Sequence, residues 1–156
     1  MNSQQQTKKF LVTSPAAIVD NASWTCNVID TLGYDYCDID ILLGATDIAM
    51  ATLKVQESDT KSNTTALTNG ADVTGLVFGT STDIDGTTSS VPSSTSDNTI
   101  VRCEIDCRKR KRYLLLVATG GDGSQGAYMA SLATLSRAEV APVSASDRGC
   151  GQILRV

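Results

Sequence analysis

TIVRCEIDCRKRKRYLLLVATGG, residues 99–121, reads as strand, basic turn, strand. Val101, Cys103, Ile105 and Cys107 fall on one face at period two. Arg102, Glu104 and Asp106 fall on the other, the alternation of a half-buried β-strand. Five consecutive cations follow, Arg108, Lys109, Arg110, Lys111 and Arg112, and then the apolar run 113–118. The segment points to an all-β chain and offers no catalytic group of its own.

The same alternation recurs upstream. In residues 34–43, Cys37, Ile39, Ile41 and Leu43 point one way and Tyr36, Asp38 and Asp40 the other. Further strands are expected over 23–29, with Trp24, Cys26 and Val28 on one face, and over 48–57, with Ala49, Ala51, Leu53 and Val55 inward. Residues 73–78 and 127–135 complete the set. Turns are expected at 31–33, 44–47 and the glycine-rich GGDGSQG of 120–126. Residues 58–70 and 81–98, dominated by Ser, Thr, Asn and Asp, read as long surface loops. Seven or eight strands with regular turns make an antiparallel β-sandwich, jelly-roll-like, with no convincing helix and no internal repeat.

The 156 residues suit one domain, large enough to bury a core without a metal or disulfide staple. Residues 1–15 and 142–156 read as an N-terminal and a C-terminal arm. Aromatics are only 4%, so the core must rest on aliphatics and cysteines. The net charge of −4 argues against nonspecific nucleic-acid binding. The polar opening MNSQQQTKKF has no apolar stretch of a secretory signal, and no apolar run approaches the roughly 20 residues of a membrane span. A soluble protein made in the cytosol is the expectation, with reduced thiols. Cys103 and Cys107, about 13 Å apart along one strand, cannot bond each other. They read as small buried apolar residues.

The chain has no histidine. That removes the Ser–His–Asp and Cys–His schemes and the commonest general base. A zinc site would need Cys and carboxylates alone, and no CxxC occurs, so no metal or other cofactor is expected. Asp38, Asp40, Glu104 and Asp106 could form a carboxylate pair or a calcium site if their strands were neighbours. The commoner meaning of such a pattern is the solvated face of an amphipathic strand. Asp83-Ile84-Asp85-Gly86 matches part of an EF-hand loop, but Ser81 and Pro92 stand where its terminal acids belong. An Asp-Gly turn fits better. GGDGSQG lacks the Lys-Ser or Lys-Thr and the following helix of a phosphate cradle. Residues 108–112 read as a hydrated hairpin turn or as an electrostatic latch onto an acidic partner; nucleic acid is a third reading, but no aromatic platform except Tyr113 accompanies it.

Several phrases carry a resemblance: IDTLGYDYCDIDILLGATDIAMATLKVQESD (29–59), EIDCRKRKRYLLLVATGGDG (104–123), LATLSRAEVAPVSASDRG (132–149) and QILRV (152–156). They resemble tailed-phage and prophage virion proteins of the head-decoration or cement type. The resemblance implies a non-enzymatic β-sandwich on the outside of the capsid, bridging major capsid proteins, as a homotrimer at a threefold or quasi-threefold position. It implies the capsid surface as location and no catalytic residues, and the lack of a long apolar run leaves no membrane partner expected. Arg108, Lys109, Arg110, Lys111 and Arg112 are the expected capsid contact. The small residues Ala130 to Ala133 are a candidate packing face in a trimer. A tail or head–tail connector subunit and a carbohydrate-binding sandwich for host adsorption are the alternatives.

Overall fold

The computed structural model describes residues 6–154. Eight strands form: β1 (Lys8–Thr13), β2 (Ile29–Asp30), β3 (Tyr34–Thr46), β4 (Thr52–Ser58), β5 (Ala71–Val77), β6 (Ile100–Asp106), β7 (Tyr113–Thr119) and β8 (Ala127–Ala138). Only short 3-10 turns interrupt them, at Ser94–Ser96 and Cys107–Lys109, with no α-helix among the described residues. Two four-stranded antiparallel sheets result, ordered β1-β8-β3-β6 and β2-β7-β4-β5, packed as a sandwich.

The pairings β1 with β8, β2 with β7, β3 with β6 and β4 with β5 are the rungs of one long hairpin. Contacts of β3 with β8 and of β4 with β7 roll that hairpin onto itself. This is the strand order of a jelly roll, two interleaved Greek keys.

Alternation places the core. Cys37, Ile39, Ile41 and Leu43 of β3 and Cys103 and Ile105 of β6 point inward from one sheet. Leu53 and Val55 of β4 and Leu114, Leu116 and Ala118 of β7 meet them from the other. Aliphatic and thiol side chains fill the roughly 10 Å gap between packed sheets, as the low aromatic content requires. Cys107 is buried just past the end of β6, and all five cysteines are free thiols.

Several local expectations are corrected. Residues 8–13, read as part of a free arm, form an edge strand that registers Lys8 with Leu135 and Leu11 with Leu132. A buried hydroxyl chain fastens it: Ser131 Oγ donates to Thr13 Oγ1 at 2.7 Å, and Thr13 Oγ1 lies 3.1 Å from Cys26 Sγ. Residues 1–5 of the expected N-terminal arm and 155–156 of the C-terminal one lie outside the described residues. The described part of the latter is tied to β1, where Lys9 N donates to the Arg148 carbonyl at 2.8 Å. The turn expected at 44–47 is instead the end of β3, which runs to Thr46 through a register shift. Ala49 and Ala51 face solvent and Met50 is buried, because regular alternation begins only at Thr52. Residues 23–28 bury Trp24, Cys26 and Val28 as expected, but pair as a strand only at Ile29–Asp30.

The loops are built on carboxylates. Asp83 accepts from the Asp85 and Thr87 amides and the Thr87 hydroxyl, closing a small Asp-Gly hairpin. Asp47 accepts from the Ser124 and Gln125 amides at 2.6 and 2.7 Å, which anchors the glycine loop before β8. Gly126 closes that loop at φ +76°, and a Cβ there would stand 2.5 Å from the Val19 carbonyl oxygen. Only glycine fits both constraints.

Candidate functional site

The basic turn caps one end of the sandwich. Hairpin geometry brings it level with the end of β2, the start of β3, the end of β4 and the end of β8. Each of those elements contributes an acid or a further cation. Arg108 Nε bonds Asp106 Oδ1 at 2.9 Å, and its other nitrogen donates to Tyr36 Oη at 2.8 Å. Arg110 lies 3.6 Å from Glu57. Arg112 forks onto Asp30 with bonds of 2.8 and 2.7 Å. Arg137, arriving from β8, lies 3.7 Å from Asp35.

The arginines also lie on aromatic rings. Arg108 and Arg137 sit 5.0 and 5.8 Å from the centre of Tyr36. Arg112 and Lys61 sit 4.8 and 5.2 Å from the centre of Tyr113. Asp30 and Asp106 are held below the ordinary carboxylate range, each chiefly by its bonded guanidinium. The bonded carboxylate in turn raises Arg108 and Arg112.

All five expected contact residues are therefore together, but they are not equivalent. Arg108, Arg110 and Arg112 are committed to acids of the same chain. Lys109 and Lys111 are exposed, and neither has an ion-pair partner among the described residues. The Lys111 amide donates to Glu57 Oε2 at 3.1 Å, which fixes the turn's backbone while its side chain stays in solvent. The run of cations was legible in the sequence. Its partners Asp30 and Glu57 were not, because only tertiary pairing brings them there.

The four acids weighed as a catalytic or calcium group lie on adjacent strands, with Asp38 opposite Glu104 and Asp40 opposite Arg102. Arg102 forks onto Asp40 at 2.6 and 3.1 Å, and Asp106 is taken by Arg108. Burial, reinforced by the charges of Glu104 and Asp40 and opposed by Arg102, raises the Asp38 carboxyl. No group of three or more Cys, Asp or Glu is placed to hold a metal among the described residues.

The outer face of the β1-β8-β3-β6 sheet carries a feature that sequence reading missed. Ala130, Leu42 and Ile100 lie side by side across three strands. Leu42 and Ile100 are exposed, as are Leu11 and Tyr128 nearby. The expected packing face at 130–133 splits by alternation: Ala130 faces out, whereas Ser131 and Ala133 are buried in the chain's own core. A sugar-stacking platform needs open aromatic faces. Trp24 is buried, Tyr36 and Tyr113 already carry cations, and Tyr128 is exposed on the outer sheet face.

No protein-family model matches this chain, and no curated protein matches it.

Proposed function

We propose that this chain is a non-enzymatic structural protein of a tailed-phage virion, of the head-decoration type, which binds the outside of the shell and bridges its major capsid proteins. The observation that carries the reading is the basic end. Its arginines are consumed in holding a rigid turn, and two lysines remain exposed for a partner. Rim cations of this kind steer and orient docking on an acidic protein surface. The resemblance supplies the capsid as that surface. The jelly roll is compatible but does not decide, since viral shell proteins and lectins share it.

Co-sedimentation of the purified chain with phage heads lacking it tests this. Binding that weakens as salt rises is expected, and Lys109→Ser with Lys111→Ser should weaken it about five- to tenfold at low salt. Absence of binding at any salt would overturn the reading. Unchanged binding by the double variant would remove the lysines from the contact.

A further inference from the structure

Three of the four sheet edges are blunted. The outer edge of β1 is occupied by the Lys9–Arg148 bond, by Asn27 N donating to the Val12 carbonyl at 2.8 Å, and by Asn27 Nδ2 donating to the Leu11 carbonyl at 3.1 Å. Beside β2, Val28 N donates to the Thr64 carbonyl at 2.8 Å. The edge of β5 is bent at Gly75, with φ +92°, and Val77 N donates to Ser81 Oγ at 3.0 Å. Such devices stop a strand from recruiting another chain.

β6 has none of them. Leu43 N donates to the Thr99 carbonyl at 3.0 Å, which sets the phase of the β3–β6 ladder. Antiparallel alternation then turns the amides and carbonyls of Ile100, Arg102 and Glu104 to the outer side. No further strand pairs with β6 there. Beside this open edge, between β5 and β6, lies a cleft of about 600 Å³ walled by Leu76, Phe78 and Cys103, with Ile84 at its mouth. On the opposite side of the same edge stands the exposed Leu42–Ile100 pair. A strand added to β6 would therefore meet apolar surface on both of its faces.

The chain holds a segment with that character. Ile153 and Leu154 are adjacent, so in an extended strand they point to opposite faces. Both are exposed, Leu154 almost completely. Arg155 follows, and the cleft is bordered by Asp83 and Glu104 and by Arg102, whose charge is paired with Asp40. The N-terminal residues are too polar to fill it. Ile153 and Leu154 cannot reach the cleft of their own molecule. Their chain leaves β1 at Gly149, and β6's outer side lies about four strand spacings away, some 19 Å. Five extended residues span about 18 Å at most.

We propose that the segment beginning at Gln152 of one copy adds as a strand to the open edge of β6 in a second copy, with Ile153 and Leu154 divided between the cleft and the Leu42–Ile100 pair. The contact is head-to-tail, so it propagates from copy to copy rather than ending at two, and makes a ring where the rotation between copies closes. It is independent of what the assembly binds.

The test uses solution mass by light scattering on the whole chain and two variants. One carries Ile153→Asp and Leu154→Asp in the donor. The other carries Ile84→Glu and Ile100→Glu at the acceptor. All four positions are exposed, and Trp24 fluorescence verifies that each variant is folded. The parent is expected to associate with rising concentration, and each variant alone to stay at the 16.4 kDa of one chain. Mixing the variants should restore a pair of about 33 kDa, twice the single-chain mass, because one intact donor and one intact acceptor remain. A parent that is monomeric throughout, variants that keep the parent's mass, or a mixture that stays monomeric would each overturn the proposal.

Discussion

Replacing Thr13 by valine removes one hydroxyl from the buried chain that joins β1 to β8, and its consequence can be worked out from the geometry. Thr13 and Ser131 are 2% and 1% exposed, so water cannot substitute for a lost partner. Valine has nearly the shape of threonine, so no cavity opens. Ser131 Oγ, which donates to Thr13 at 2.7 Å, is left buried without its acceptor. An orphaned buried hydroxyl costs about 1–3 kcal/mol. For a chain of this length that lowers the melting temperature by roughly 3–10 °C. Ser131→Ala should cost less, about 0.5–1.5 kcal/mol, because Thr13 keeps its contact with Cys26 Sγ at 3.1 Å. The double variant removes donor and acceptor together and should lie closer to the parent than Thr13→Val alone. A coupling of about 1 kcal/mol or more is expected from the double-mutant cycle. Urea unfolding followed by the buried Trp24 measures all four proteins. A loss below about 0.5 kcal/mol in Thr13→Val, or strict additivity in the double variant, would refute the hydroxyl chain as the fastening of β1.

Other outcomes follow from the same structure. Burial raises the Cys103 and Cys107 thiols to about 12 and about 11, and raises Cys26 and Cys37 as well. A thiol-reactive chromophore at pH 8 should therefore count one accessible cysteine, Cys150, in the native protein and five after denaturation; four or more in the native state would contradict the buried set. Asp30, Asp47, Asp72, Asp83, Asp106 and Asp147 are held below the ordinary aspartate value of 3.8 by bonded cations, hydroxyls or amides. Their stabilisation is present above that value and lost as pH falls through their lower native values, so thermal stability should drop below about pH 4. A melting temperature unchanged between pH 6 and pH 2.5 would contradict this. Asp38 has the opposite sign: its raised native value makes its ionised form a burden at neutral pH. Asp38→Asn should raise the melting temperature at pH 7 and give no gain at pH 3, and a lower melting temperature at pH 7 would count against it.

What the sequence made legible was local. The alternations at 37, 39, 41 and 43 and at 103, 105 and 107 placed the two longest-read core faces correctly, because period two needs no knowledge of the partner strand. β1 was hidden because Lys8 and Lys9 open it, Leu11 stays exposed, and its partner lies more than a hundred residues away. Ala49 and Ala51 were misplaced because a small apolar residue fits a turn as readily as a core. The rolled order of the strands rests entirely on long-range pairing. The same holds at the candidate site: five cations in a row and the neighbouring Asp106 can be read directly, but the other two acids that neutralise them, Asp30 and Glu57, arrive from β2 and β4. The open edge of β6 could not be read at all, since an edge is defined by the strand that is missing beside it.

Counting copies of this chain in purified tailed-phage particles, by quantitative mass spectrometry against the major capsid protein, tests the proposed role most directly. A decoration protein repeats with the shell's symmetry, so on the order of hundreds of copies per particle are predicted. About a dozen copies would place the chain in a connector or tail ring, and its absence from the particle would contradict a virion role altogether.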